Sequence, residues 1–159
     1  FISIFVRIEL DNLSTSKFGL ISYNDKMDLE ILKLASDTKS QKKMSDFTHN
    51  PKAKNPLCGD EIQLFLKINK GKINGISYQG KNCVYCQASA NLLSKNSNGK
   101  RVEEMIEVCN CANNFFKKKG DLSKNLKIYK KLLSSKNTNR KECILLPFNA
   151  LRKGLVDGN

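Results

Sequence analysis

The sequence predicts an α+β fold: a small antiparallel sheet, covered on one face by helices. Three observations carry this. Residues 61–69, EIQLFLKIN, alternate apolar and polar side chains, the period of a half-buried strand. A glycine-containing turn, NKGK at 69–72, leads directly into a second alternating run, so the two segments read as a hairpin. Beyond residue 86 the apolar spacing becomes helical, and no strand–helix–strand alternation follows.

Each element follows in order. Residues 28–37, DLEILKLASD, space Leu29, Ile31, Leu32, Leu34 and Ala35 as a short amphipathic helix, with Asp28 as N-cap. Residues 38–57 are polar, contain Pro51 and Pro56, and read as a loop. In the first strand Ile62, Leu64, Leu66 and Ile68 face one way, and Gln63, Phe65 and Lys67 the other. In its partner, INGISYQG, Ile73, Gly75, Ser77 and Gln79 oppose Asn74, Ile76 and Tyr78. A helix rich in small residues starts at Cys86. Residues 101–119 form the next, with Val102, Met105, Ile106, Cys109, Phe115 and Phe116 near one face and Gly120 as its stop. Residues 122–135 read as a further amphipathic helix, 134–142 as a loop, and CILLPFNALRKGL as a last helix from about Cys143, with Pro147 in its first turn.

The chain has 159 residues, one domain's worth. Residues 27–159 are read as that domain. Residues 1–26 are read either as an upstream extension or as an extra strand. No apolar run reaches the ~18 residues of a membrane span, and residues 1–10 lack a basic stretch and cleavage pattern. The net charge is +13, yet 24 of the 28 basic residues are Lys and 4 are Arg, while Asn occurs 18 times. That composition reflects an A+T-rich genome rather than a phosphate-reading surface, where Arg is favoured. The Lys-rich surface would steer an acidic protein partner.

Six cysteines without a secretory signal place the chain in a reducing compartment, where thiols are read as ligands or nucleophiles before disulfides. Cys58, Cys83 and Cys143 stand at element ends, where they can converge at one sheet edge and where helix N-termini lower thiol pKa. Asp60 follows Cys58 by two residues, and Gly59 permits a tight turn. Three thiolates and a carboxylate suit Zn²⁺, and thiolates equally suit iron–sulfur chemistry. Cys83 and Cys86 form a CxxC, but no βαβ unit surrounds it; Cys86 is read as a packed residue near the site or an auxiliary thiol. Cys109 and Cys111 lie about 200° apart around a helix axis and cannot chelate together. The single histidine, His49, is read as a solvated loop residue, so no Cys–His nucleophile pair can be drawn.

NPLCGDEIQLFLKI, GKNCVYCQASA and RKECILLPFNAL resemble, in order and spacing, the three cysteine motifs of the iron–sulfur cluster assembly scaffolds: IscU, the NifU N-terminal domain and SufU. The resemblance spans about residues 28–155. It implies a three-stranded sheet, and hence a strand before Cys58, within 44–50 or in the N-terminal extension. It makes Cys58, Cys83 and Cys143 the functional cysteines and Asp60 the acidic ligand. The residue before Cys143 is Glu142 rather than the histidine of the IscU type. Sixty residues separate Cys83 from Cys143, and Arg140 lies three before Cys143. These features point to the SufU-like branch. Cys86 and Gln87 depart from its common motif. The expected function is therefore cytoplasmic iron–sulfur cluster assembly without enzymatic turnover. The site would hold Zn²⁺ or a transient [2Fe–2S] cluster, Cys58 would accept persulfide sulfur from a SufS-like cysteine desulfurase, and cluster-receiving apoproteins or a Suf scaffold complex would be the onward partners. The alternative is a structural zinc domain that binds nucleic acid through its lysines.

Overall fold

A computed structural model describes residues 28–118 and 122–158. The alternative readings of residues 1–26, and Gly120 as a helix stop, lie outside them. The first helix, α1 (Leu29–Ser36), is capped as expected: the Asp28 side chain accepts from the Glu30 N–H at 2.9 Å. Three antiparallel strands follow, β1 (Lys52–Lys54), β2 (Glu61–Asn69) and β3 (Lys72–Lys81), in the spatial order β1-β2-β3. The hairpin turn places Lys70 and Gly71 at φ 48° and 71°, the left-handed pair whose twist matches that of the strands.

The strand before Cys58 is real, but it lies at 52–54 rather than 44–50. His49 pairs with Leu66 in an isolated bridge, and β1 begins three residues later. Pro51, which has no N–H to give, separates the two. Lys-Ala-Lys carries no apolar alternation, so its pairing is set by β2 and not by its own pattern. In β3 strict alternation would put Ile73 opposite Ile76 and Tyr78. A bulge after Lys67 pairs Ile68 with Ile73 and leaves Asn74 out of register. Ile73 and Tyr78 both end fully buried in one core.

Helices α2 (Val84–Ser97), α3 (Val102–Lys118) and α4 (Lys141–Asp157) complete the core with α1. The expected helix at 122–135 is a 3₁₀ segment at Lys124–Tyr129 followed by turns, and the expected loop at 134–142 holds a second 3₁₀ segment, Ser135–Arg140. Leu126, Tyr129 and Leu132 are buried at a spacing of three, which is the 3₁₀ period and not 3.6. Pro147 sits in the second turn of α4, not the first, because the helix starts at Lys141. It has no N–H for the Cys143 carbonyl four residues earlier.

The helices cover one sheet face. The other is covered by the loop before β1: Phe47 packs edge-on against Phe65 with ring centroids 5.4 Å apart. The Cys58 turn, the start of α2 and the start of α4 therefore meet at one end of the sheet. Among the described residues no helix is long and apolar enough to cross a membrane.

Candidate metal centre

The first thiol is positioned by a turn that Asn55 holds closed. The Asn55 carbonyl accepts from Gly59 N–H at 2.9 Å, and its own N–H donates to the Asp60 carbonyl at 2.8 Å. Its side-chain oxygen accepts from Leu57 N–H at 3.0 Å, an Asx turn. Gly59 sits at φ 74° with open space where a Cβ would be, so only the backbone conformation demands glycine. Cys58 is thus exposed at the tip, beside Leu57, which is 84% exposed, while Asp60 turns inward and is 5% exposed.

Asp60 joins this turn to α2. Its Oδ1 accepts from the backbone N–H of Cys83 at 2.9 Å. Its Oδ2 is buried and has no hydrogen-bond partner among the described residues. Cys83 is the N-cap of α2 and is half-buried. Cys143, third residue of α4, is 5% exposed, and its thiol donates to the Cys58 sulfur at 3.5 Å. One donor atom each from Cys58, Asp60 and Cys143 lies within 4.8 Å of the others. The Cys83 thiol is not part of this tight set, but it faces both Asp60 and Cys143.

Both Cys83 and Cys143 are shifted upward, contrary to the sequence expectation, although the backbone N–H of Cys86 at the start of α2 acts to lower Cys83. Burial pushes Cys83 up, and the Asp60 carboxylate adds to it. Burial likewise pushes Cys143 up, reinforced by the Cys58 and Cys83 thiols. Desolvation outweighs the helix N-terminus, so without a cation these two thiols stay protonated at neutral pH. A cation would reverse that balance.

The donor set fits a metal on geometry. Two thiolates on one Zn²⁺ at about 2.3 Å stand roughly 3.8 Å apart at the tetrahedral angle, close to the observed 3.5 Å. The unpartnered Asp60 oxygen supplies a hard donor beside them. Cys58, Cys83, Cys143 and Asp60 would hold Zn²⁺ or iron.

The other sequence candidates lie elsewhere. His49 exchanges backbone hydrogen bonds with Leu66, which stands about 16 Å along β2 from Glu61. Glu142 is exposed in the first turn of α4. Cys109 is buried in α3, where burial pushes its thiol up to about 12. Cys111 is half-buried two residues on. Cys86 is fully buried beneath the site, and its thiol donates to Asn82 Oδ1 at 3.3 Å. The Arg140 guanidinium lies 5.7 Å from the centroid of the Tyr85 ring, tying the start of α4 to the start of α2. Sequence reasoning missed Asn55 and Asn82. Asn-Pro three residues before Cys58 is a turn signal that points to Asn55; nothing in the sequence points to Asn82.

The NifU-like N terminal domain model matches residues 27–157. The IscU iron–sulfur cluster assembly scaffold protein of Thermotoga maritima is 32% identical over 126 residues, spanning 79% of this chain and 89% of that protein. The zinc-dependent sulfurtransferase SufU of Bacillus subtilis is 29% identical over 104 residues, 64% of this chain and 71% of the relative. The crystal structure of a SUF-system scaffold from Fervidobacterium islandicum superposes with a TM-score of 0.74 at 28% identity, covering 79% of this chain and 93% of that one. Fold, motif order and sequence likeness agree: the chain belongs to the NifU-like N-terminal domain family.

Proposed function

We propose that this chain is an iron–sulfur cluster assembly scaffold of the SufU-like kind, in which Cys58, Asp60, Cys83 and Cys143 hold a metal and Cys58 accepts sulfur. The observation that carries the reading is the buried, unpartnered Asp60 oxygen beside the Cys58 and Cys143 sulfurs. A carboxylate oxygen kept from both water and protein donors is costly unless a cation completes it. A bound metal would supply one thing, thiolates held deprotonated at neutral pH.

The residues do the rest. Cys58 lies exposed on a short turn, so it can leave its place and meet a partner's persulfide. Its thiolate attacks the outer persulfide sulfur; a new S–S bond forms at Cys58, the partner's S–S bond breaks, and the partner leaves as thiolate. Cys83, anchored at the N-cap of α2, keeps its position meanwhile. Asp60, the weaker and harder donor, is the ligand to exchange. The cysteine desulfurase is the sulfur donor, and an apoprotein receives the finished cluster as cargo. The chain is an acceptor and carrier in this reading, not an enzyme with its own turnover. The net charge of +13 favours acidic partners.

The test combines elemental analysis of protein purified with and without air, and transfer of ³⁵S from cysteine through a desulfurase. One metal per chain and label on Cys58, lost in Cys58→Ser, are expected. Label that persists in Cys58→Ser, or protein that takes up neither zinc nor iron, would overturn the proposal.

A further inference from the structure

Cys86 and Asn82 take no part in the four-donor set, yet they lie against it. Asn82 directly precedes Cys83, and Cys86 occupies the third position of α2, one helical turn after Cys83. The Cys86 thiol is fully buried and donates to Asn82 Oδ1 at 3.3 Å. That contact fixes which way the amide faces. The other end, Asn82 Nδ2, is buried from water and has no acceptor among the described residues. An amide N–H left so pays its desolvation with no bond in return. A smaller or apolar residue before Cys83 would avoid the cost, so an unused donor here calls for an acceptor that arrives later.

The acceptor available is sulfur. A protonated thiol is a poor acceptor, but a metal-bound thiolate, or a sulfur delivered to it, carries charge that an N–H can share. We infer that Asn82, oriented by Cys86, is a positioning residue that donates its side-chain N–H to the metal-bound sulfur at the Cys83 end of the site. Cys86 is then neither a fifth ligand nor a redox partner of Cys83. It is the latch that keeps the amide turned the right way. The arrangement is the sulfur counterpart of the hydrogen bonds that orient and tune metal-ligating histidines.

The inference rests on the proposed metal site, and Co²⁺ under anaerobic conditions separates the two. Thiolate-to-cobalt charge-transfer bands report directly on electron density at sulfur, which a merely structural residue would leave alone. Wild-type protein should take up one Co²⁺ with these bands in the near ultraviolet. Asn82→Ala should move them to longer wavelength, because sulfur loses the N–H that stabilised its lone pairs, and should weaken Co²⁺ binding about tenfold. Cys86→Ala should shift the bands in the same direction. Cys86→Ser, whose hydroxyl can still donate to Asn82 Oδ1, should restore the wild-type spectrum. Bands and affinity unchanged in Asn82→Ala would overturn the inference and leave the metal site standing. A drop of one thiolate's worth of intensity in Cys86→Ser would also overturn it, by making Cys86 a ligand. Wild-type protein that binds Co²⁺ without thiolate bands would overturn both.

Discussion

Two groups of cysteines share this chain and live in different worlds. Cys58, Cys83 and Cys143 sit on a turn, at a helix N-cap and in a helix's first turn, and three elements distant in sequence bring them to one sheet end. Cys109 and Cys111 sit mid-helix in α3, on different sides of the axis, and Cys109 is sealed in the core beside Tyr129. The first group leaves a carboxylate oxygen and two amide nitrogens, of Asn55 and Asn82, buried without partners around it. Beside Cys109 the Tyr129 hydroxyl is also buried without a partner among the described residues, but it is a neutral hydroxyl and not a carboxylate. Thiol chemistry here is decided by where topology puts the residue and by what its neighbours leave unsatisfied, not by residue type or burial: Cys143 and Cys109 are both buried.

The sharpest way to break that contrast is to remove one thiol from each group. Cys58→Ser, Cys83→Ser or Cys143→Ser should weaken zinc binding by more than about 100-fold, since a structural zinc site is worth ~10–16 kcal/mol shared among four ligands. Competition with a chromophoric chelator measures this. If Cys109→Ser weakened binding as much, the two groups would be one. The second test uses protons. Burial holds Cys83 and Cys143 above the ordinary thiol pKa, so both enter the metal-binding equilibrium protonated at pH 7. Metal displaces those protons, so affinity must rise with pH, by about 100-fold per unit below the thiol pKa values for two protons released. Calorimetry in buffers of different ionisation enthalpy counts them; fewer than one would mean the thiols are already ionised.

A smaller effect is expected at Asp60. Asp60→Ala opens one coordination position and removes the hydrogen bond to the Cys83 N–H, and should cost about 10–100-fold in metal affinity. Equal affinity would reduce Asp60 to a turn residue. The mildest change belongs to the second group. Cys109→Ser buries a hydroxyl and should lower stability in urea by ~1–3 kcal/mol. Cys111→Ser, half-buried, should cost less than about 0.5 kcal/mol. Both should retain full metal content.

Much of this was legible because the relevant signals are local. Alternation in EIQLFLKIN, the glycine turn at 71 and the helical spacing of 102–116 belong to their own segments. So does the Cys-Gly-Asp turn. What escaped reading depends on partners. Lys52–Lys54 is a strand because β2 has an edge to fill. Residues 124–129 are 3₁₀, and a turn follows, because Leu126, Tyr129 and Leu132 must all reach the core at a spacing of three, which an α-helix would fan apart. The pKa shifts were read with the wrong sign because helix position is visible in sequence and burial is not. The Asn82 amide needed coordinates outright: its significance is an acceptor it lacks.

The proline in α4 has a mechanical consequence. A helix is stiff because every turn is stitched to the next, and Pro147 cuts the stitch that would bind the backbone of Cys143 to the second turn. The third thiol is therefore mounted on a compliant coil at the end of a rod seventeen residues long. Cys58 sits exposed at the tip of a short turn. Cys143 rides a helix, yet its turn can flex without breaking a backbone bond there. In the role proposed above, donors that close around one metal ion and open around a larger cargo would need travel on both sides of the gap, and the chain offers a turn on one side and a missing hydrogen on the other.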